Sequence, residues 1–134
     1  MTEQAVSLGE VTLYVADQAA SREFYRALLG SDPCLDVPGM TEFQLSPALK
    51  LGLMPAQGMA RILGDRVPHP AMGAGIPRCE LYFQVPDARQ AFERAVVAGA
   101  VAIDPPARRD WGEVVAYAAD LDGHILAFAT PPAG

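Results

Sequence analysis

The chain has little of what nucleic-acid-binding proteins need. Of its 134 residues only Lys50 is a lysine, the nine arginines are scattered apart from Arg108 and Arg109, and the net charge is −6. Binding nucleic acid takes clustered basic side chains that displace counterions, so no nucleic-acid partner is expected. An acidic protein instead favours a cationic ligand.

Long apolar runs and cysteines are also scarce. No stretch of 18 or more apolar residues occurs, so no membrane span is expected, and the first ten residues lack the basic and apolar regions of a signal peptide. We therefore expect a cytoplasmic protein. Cys34 and Cys79 form no disulfide framework and are expected to be reduced, structural residues. The length and the apolar half of the composition predict a single folded domain over residues 1–134.

What the chain does contain is an internal repeat. Glu10–Val15 reads E-V-T-L-Y-V, Glu80–Val85 reads E-L-Y-F-Q-V, and an aspartate follows each within two residues. Strict alternation predicts two strands that each place an apolar face against a helix. The opposite face of each strand is polar and aromatic, which suits the lining of a cavity.

A helix is predicted after each strand. Asp17 is placed to cap the first, and Gly30 to end it. Asp87, with Gln90 three residues later, caps the second, which ends at Gly99. The predicted apolar stripes are Ala20, Phe24, Ala27 and Leu28 in the first helix, and Ala88, Ala91, Phe92, Ala95 and Val96 in the second.

Strand pairs are predicted after both helices. Thr41–Leu45 and Leu49–Met54 flank a turn at Ser46-Pro47. Val114–Ala119 and His124–Ala129 flank D-L-D-G, a strong turn signal.

The repeated order predicts an α+β fold of two βαβββ modules, at about residues 7–55 and 78–130. A single module leaves one sheet face uncovered, so two modules are expected to pair as cupped mixed sheets around a cavity. The linker, about 56–77, is rich in proline, glycine and methionine and is either a lid-like loop or a crossover between modules.

The motifs in these modules resemble those of a known superfamily. They are L-Y-V-A-D-(x)4-R-E-F-Y-R-A-L-L-G at 13–30, E-L-Y-F-Q-V-P-D at 80–87 and R-D-W-G-E-V-V-A-Y-A-A-D-L-D-G-H-I-L-A-F-A at 109–129. They are similar to the vicinal-oxygen-chelate superfamily of glyoxalase I, bleomycin-resistance proteins and extradiol dioxygenases. The resemblance implies a cavity in which the enzymes hold a divalent metal through one residue on each of four strands. It also implies a homodimer that shares or exchanges modules.

Carried over by position, the four metal-binding places fall on Glu10, Gly52, Glu80 and Ala127. Glycine and alanine offer no ligand atom, whereas a catalytic divalent site usually has three protein ligands and an open position. We therefore expect no metal, no other cofactor and no catalytic residue. Glu10 and Glu80 either attract a basic ligand group or are structural carboxylates bonded to backbone or arginine.

Aromatic side chains form the second candidate group. Flat rings stack planar ligands and exclude water, although Trp111 is equally well explained as a plug of its hairpin. Arg109 is expected to pair with Asp104 or Asp110 rather than with a ligand. The predicted ligand-binding residues are Glu10, Thr12, Tyr14, Phe43, Gly52, Met54, Glu80, Tyr82, Gln84, Trp111, Tyr117 and Ala127.

Two functions follow from these residues and the resemblance. The first is a metal-independent binding protein that sequesters a small planar or cationic antibiotic or secondary metabolite, in drug resistance or beside an antibiotic-biosynthesis cluster. The second is an enzyme. It is a glyoxalase-like metal-dependent lyase, isomerase or epimerase, a relative of the dioxygenases, or a metal-free variant that uses Glu10 or Glu80 as a base.

Overall fold

The computed structural model describes residues 5–131, which form eight strands and three α-helices. They are β1 Glu10–Val15, α1 Gln18–Leu29, β2 Leu35–Val37, β3 Met40–Ser46, β4 Leu49–Pro55, α2 Ala56–Leu63, β5 Glu80–Gln84, α3 Ala88–Ala98, β6 Val101–Arg108, β7 Val114–Ala119 and β8 Ile125–Thr130. Strand, helix and three strands occur in the same order twice. The predicted α+β class and the two βαβββ modules are therefore confirmed.

Each module forms an open, four-stranded mixed sheet. The strand orders are β1-β4-β3-β2 and β5-β8-β7-β6. In both sheets the first strand of the module pairs in parallel with the last, and the remaining neighbours are antiparallel. Register across these strands decides which side chains share a face. The predicted dimer stays a prediction.

Contacts divide the chain into two compact units. Within the described residues, one unit holds 5–22 together with Ser31–Met72, and the other holds Glu23–Gly30 together with 73–131. The second half of α1 thus belongs to the unit that contains the second sheet. Among residues 5–131, no helix is long and apolar enough to cross a bilayer. Cys34 and Cys79 form no disulfide and are exposed.

Both predicted helix caps are confirmed. The backbone N–H of Ala20 donates to Asp17 Oδ1 at 2.9 Å, and that of Gln90 donates to Asp87 Oδ1 at 3.1 Å. Each helix then ends at a glycine in the left-handed region, with φ of +69° at Gly30 and +123° at Gly99.

The predicted apolar stripe of α1 is partly wrong. Phe24 and Leu28 are buried as expected, but Ala20 and Ala27 are exposed. Helix α1 instead buries Ser21 and Tyr25, which complete an i, i+3, i+4, i+7 pattern with the two larger residues. A tyrosine ring removes far more apolar surface from water than an alanine methyl, so Tyr25 decides how the helix is rotated.

Two strands and one helix were not predicted. Strand β2 has only three residues, all exposed, and edge strand β6 contains Pro105 and Pro106 beside two register shifts. Prolines and bulges are tolerated at sheet edges, where fewer backbone groups need partners. Helix α2 lies in the predicted linker despite an internal glycine, Gly58. Two short 3₁₀ turns, Gly64–Arg66 and Pro70–Gly73, follow it.

Candidate functional site

One face of the second sheet carries a row of aromatic and small residues. Tyr82 on β5, Ala127 on β8 and Tyr117 on β7 are in register, so their side chains point the same way. Phe83 and Phe128 point to the opposite face, where they line a space together with residues of α3. The predicted division of β5 into an apolar and a polar face is therefore confirmed, since its residues alternate between half-buried and exposed.

Four side chains on the polar face form what we name the tyrosine–tryptophan cluster, namely Tyr82, Gln84, Trp111 and Glu113. The Tyr82 hydroxyl donates to Glu113, and Gln84 Nε2 donates to the other carboxylate oxygen at 3.4 Å. Trp111 Nε1 lies 3.0 Å from the Tyr82 hydroxyl oxygen and 3.1 Å from Glu113 Oε1. Trp111 is 57 % exposed and Tyr82 is 40 % exposed, so both rings are accessible. Trp111 therefore does not plug its hairpin.

The cluster holds a negative charge. The hydrogen bond from Tyr82 lowers the pKa of Glu113, and those from Gln84 and Trp111 act in the same direction. The same bond raises the pKa of Tyr82, because a phenol that donates to a carboxylate resists ionisation. At neutral pH the cluster thus presents one carboxylate between two neutral rings.

Glu113 was not predicted, although the sequence contained a signal for it. Alternate residues of a strand share a face, and residue 113 directly precedes β7, two residues before 115 and four before 117. Extending this alternation places Glu113 on the face of Tyr117, two residues from Trp111.

Tyr117 is less available than predicted. The guanidinium of Arg109 lies 5.1 Å from the centre of its ring, a distance at which a cation is attracted to the ring face. Arg109 is itself fixed by Asp104 at 3.0 Å and by the carbonyl of Val115 at 2.7 Å. The predicted Arg109–Asp104 ion pair is therefore confirmed, and it covers one face of the Tyr117 ring.

The first sheet carries a different arrangement, centred on Glu10. Thr12, Gly52 and Glu42 are in register on β1, β4 and β3, and the side chain of Glu10 reaches over Gly52. A Cβ at position 52 would lie 2.2 Å from Glu10 Oε2, so Glu10 occupies the space left by the missing side chain. Thr12 Oγ1 donates to the same oxygen at 3.3 Å.

The side-chain hydrogen bond with Glu42 is the main cause of a raised pKa at Glu10, and we call these two residues the carboxyl pair. That bond, burial and the charge of Glu42 raise the pKa of Glu10, against the opposing effects of Thr12 and Lys50. Lys50 Nζ lies 3.5 Å from Glu42 Oε1.

Phe43 does not lie on this face, and its predicted place in the site is wrong. It is in register with Leu51 and fully buried, on the opposite face from Gly52. The alternation in T-E-F-Q-L already groups Phe43 with Thr41 and separates it from Glu42. The same alternation identifies Glu42, the member of the carboxyl pair that was not predicted.

The other predicted residues fall into two groups, one in each compact unit. Glu80 is exposed at the start of β5, on the face of Tyr82. The first unit holds Glu10, Thr12, Tyr14, Gly52 and Met54, and the second holds Glu80, Tyr82, Gln84, Trp111, Tyr117 and Ala127.

Comparison with known proteins identifies the family. The profile of the glyoxalase-like domain matches residues 10–128, nearly the whole chain. The chain belongs to the glyoxalase-like domain family. No curated protein matches it significantly.

Solved structures with this glyoxalase-like fold agree with the assignment. A glyoxalase-related enzyme from Fulvimarina pelagi is 26 % identical, with a TM-score of 0.81 over 96 % of this chain and 92 % of that one. A protein from Agrobacterium tumefaciens is 30 % identical, with a TM-score of 0.75 over 96 % and 99 % of the two chains. A glyoxalase/bleomycin resistance protein/dioxygenase from Nocardioides is 24 % identical, with a TM-score of 0.76 over 99 % and 88 %.

The donor set of this glyoxalase-like chain does not fit the metal centre of the superfamily. Gly52 and Ala127 carry no donor atom, and Glu10 fills the space in which a side chain at position 52 would lie. Glu10 is also engaged by Thr12 and Glu42. These four positions therefore supply fewer than the three protein ligands that a catalytic divalent site usually has.

A second group of possible ligand atoms lies in the D-L-D-G-H turn. Donor atoms of Asp120, Asp122 and His124 lie within 4.8 Å of one another. Both oxygens of the buried Asp120 are engaged, however. Oδ2 accepts from the Tyr25 hydroxyl at 2.5 Å and contacts His124 Nδ1 at 2.9 Å, while Oδ1 accepts the N–H groups of residues 122 and 124, each at 2.9 Å. The Asp120 side chain therefore stabilises this turn through hydrogen bonds within the second unit.

Proposed function

We propose that this chain is a metal-independent binding protein that sequesters a planar, cationic small molecule on the tyrosine–tryptophan cluster. The supporting observation is the juxtaposition of two exposed rings, Trp111 and Tyr82, with the ionised carboxylate of Glu113. The rings supply stacking surface and the carboxylate supplies the charge that fixes orientation.

The hydrogen bonds of the cluster favour binding in a second way. Trp111 and Tyr82 both donate hydrogen bonds to Glu113, so their rings are held near one carboxylate in the unbound protein. A pre-organised site loses less side-chain entropy on binding, and more of the interaction energy then appears as affinity. A cationic ring system matches both the stacking surface and the charge, and the net charge of −6 attracts it from a distance.

The occupant we propose is an antibiotic or secondary metabolite of this class. The Nocardioides protein is named as a glyoxalase/bleomycin resistance protein/dioxygenase, and the present chain has the same fold. We also propose a homodimer, as the resemblance of the motifs implies. Sedimentation velocity tests the dimer directly, and a monomer at micromolar concentration contradicts it.

Trp111 is the single tryptophan of the chain, so its fluorescence reports on the proposed site alone. We expect proflavine, a planar dye that is cationic at neutral pH, to quench this fluorescence saturably and more strongly at low salt. The planar anion naphthalene-2-sulfonate should bind much more weakly. Equal affinity for the two dyes contradicts the role of Glu113.

The matched variants are Glu113→Gln and Glu93→Gln, because each removes one carboxylate and Glu93 lies on the exposed side of α3. Glu113→Gln should weaken the binding of proflavine about three- to tenfold, while Glu93→Gln should leave the affinity unchanged. Trp111→Ala should weaken the binding of the dye by about 1–3 kcal/mol, the usual contribution of a stacked ring. Calorimetry measures this change, because the variant has no tryptophan fluorescence. Unchanged affinity in Trp111→Ala removes the stacking role.

The carboxyl pair supports a second candidate, an enzyme of the glyoxalase-like lyase or isomerase type or one related to the dioxygenases. A carboxyl group with a raised pKa beside a second carboxyl group is suited to general acid–base chemistry. Metal analysis of freshly purified protein separates the two functions. A stoichiometric transition metal, or activity restored by Ni²⁺, Zn²⁺, Mn²⁺ or Fe²⁺, would overturn the metal-independent proposal.

A further inference from the structure

A second pocket lies on the other face of the second sheet. It has a volume of about 370 Å³, at the lower end of the range for small-molecule sites. We call it the helix-side pocket, and all its residues belong to the second compact unit. The lining residues that matter here are Leu28 of α1, Phe83 of β5, Phe128 of β8, and Gln90, Ala91 and Arg94 of α3.

The floor of the helix-side pocket is apolar. The rings of Phe83 and Phe128 are stacked, with centroids 5.9 Å apart and planes inclined by 14°. Leu28 closes one side and is buried, whereas Phe83 is only half-buried because β5 is the edge strand of the sheet. This floor suits an aromatic or branched aliphatic body.

One end of the pocket is basic. Gln90 and Arg94 lie four residues apart on α3 and therefore share one side of that helix. Arg94 is exposed, and within residues 5–131 its guanidinium has no hydrogen-bond or ion-pair partner. The five N–H groups of an arginine match a carboxylate, with two parallel hydrogen bonds.

The acidic group of the pocket lies at the opposite end. Asp87 precedes Arg94 by seven residues, which is about 10 Å along a helix axis. Its carboxylate already accepts the N–H of Gln90 as the helix cap. An anionic group at the Arg94 end therefore avoids it.

We propose that the helix-side pocket binds a small amphipathic monocarboxylate, with its apolar body on Phe83 and Phe128 and its carboxylate on Arg94. The ligand class is opposite in charge to that of the tyrosine–tryptophan cluster. The two sites use opposite faces of one sheet, so this inference stands without the proposed function.

The test uses the full chain and two probes of equal shape, 4-phenylbutyrate and its uncharged amide. We expect saturable binding of the acid by calorimetry, with affinity at least about tenfold above that of the amide. Amide chemical-shift changes in ¹H–¹⁵N spectra should centre on Phe83, Gln90 and Arg94. The variant Arg94→Gln should lose about tenfold in affinity, while Arg89→Gln, which removes the same charge from α3 outside the pocket, should lose nothing.

A further variant, Ala91→Phe, should block the pocket and abolish binding while circular dichroism stays unchanged. Four results would each overturn the proposal. They are no saturable binding up to about 10 mM, equal affinity for acid and amide, unchanged affinity in Arg94→Gln, and shifts confined to Tyr82, Trp111 and their neighbours. Tighter binding of 4-phenylbutylamine than of the acid would reverse the assigned charge and would also overturn it.

Discussion

Glu10 and Glu113 lie on the polar faces of the two repeated sheets, yet their pKa values are shifted in opposite directions. Glu10 faces a second carboxyl group, Glu42, which raises its pKa, while Glu113 faces hydroxyl, indole and amide donors, which lower its pKa. Repetition of the fold therefore does not repeat the chemistry. A few neighbours on adjacent strands decide the direction in which the pKa of a glutamate is shifted.

The hairpins that join the last two strands of each sheet differ as well. In the second, the buried Asp120 accepts hydrogen bonds from the Tyr25 hydroxyl and two backbone N–H groups, and it contacts the His124 ring. In the first, exposed Gln44 Nε2 donates to the carbonyl of Ser46 at 2.8 Å. The second hairpin is fixed from inside the protein and the first from its surface.

The largest expected effect tests this difference between the hairpins. Asp120→Ala should lower the free energy of unfolding by about 3–5 kcal/mol, because it removes one partner of a buried charged network. Gln44→Ala should change it by no more than about 0.5 kcal/mol, since the side chain is exposed. Urea unfolding measures both. An equal loss of unfolding free energy in the two variants would show that the two turns are stabilised equally strongly.

The next effect is a pH dependence that only the second hairpin should have. Burial alone would lower the pKa of His124 and raise that of Asp120, but their mutual hydrogen bond and attraction raise the first and lower the second. A raised histidine pKa gives stability that is complete below the ordinary value of 6.5 and is lost as pH rises through the raised value. The lowered pKa of Asp120 gives stability that is present above its ordinary value of 3.8. This contribution is lost only as pH falls below 3.8, through the lowered pKa.

Urea unfolding at about pH 5.5 and about pH 8.5 checks this dependence. We expect His124→Gln to cost about 1 kcal/mol at the lower pH and less at the higher pH, because neutral histidine no longer pairs with Asp120. A difference between wild type and His124→Gln that is constant with pH would contradict the ion pair.

A smaller effect sharpens the comparison of the two glutamates. Gly52→Ala places a Cβ where Glu10 Oε2 lies, so the end of the Glu10 side chain must move, and its hydrogen bond with Glu42 should weaken. The free energy of unfolding should change by less than about 1 kcal/mol, since the displaced atom ends a flexible side chain. Carboxyl ¹³C titration should show the pKa of Glu10 falling towards its ordinary value of 4.5. Gly9→Ala is the control, because open space surrounds that position.

The smallest expected effect lies in the second sheet. Glu113→Gln replaces an ionised acceptor with a neutral one on the exposed surface, so stability should change by no more than about 0.5 kcal/mol. The pKa of Tyr82 should fall towards its ordinary value of 10.0, since the hydrogen bond to Glu113 is the main cause of its rise. Titration of ¹³C-labelled tyrosine measures this. A Tyr82 pKa that stays raised would assign the shift to another neighbour.

Much of the fold could be predicted because its signals are local. Alternation identified β1 and β5, and an aspartate before each helix with a glycine after it identified α1 and α3. Strands β2 and β6 lacked such signals, because one is too short to alternate and the other contains two prolines. Their places in the sheets depend on pairing with distant residues.

The candidate site was less predictable, since its chemistry depends on register between strands. That Glu42 would lie beside Gly52 and Glu10 follows from the pairing of three strands, which no local pattern encodes. The orientation of Phe43 was a different kind of error. The alternation of β3 contained the answer, and the aromatic character of the residue was given too much weight.

The contact between Glu10 and Gly52 also restricts the order in which such a chain could change by mutation. A donor side chain at position 52 and the present position of Glu10 exclude each other, because the first added carbon would lie 2.2 Å from Glu10 Oε2. Because that oxygen ends a flexible side chain, a substitution that placed a ligand at position 52 would itself displace Glu10. One mutation would therefore both supply a donor and disturb the carboxyl pair.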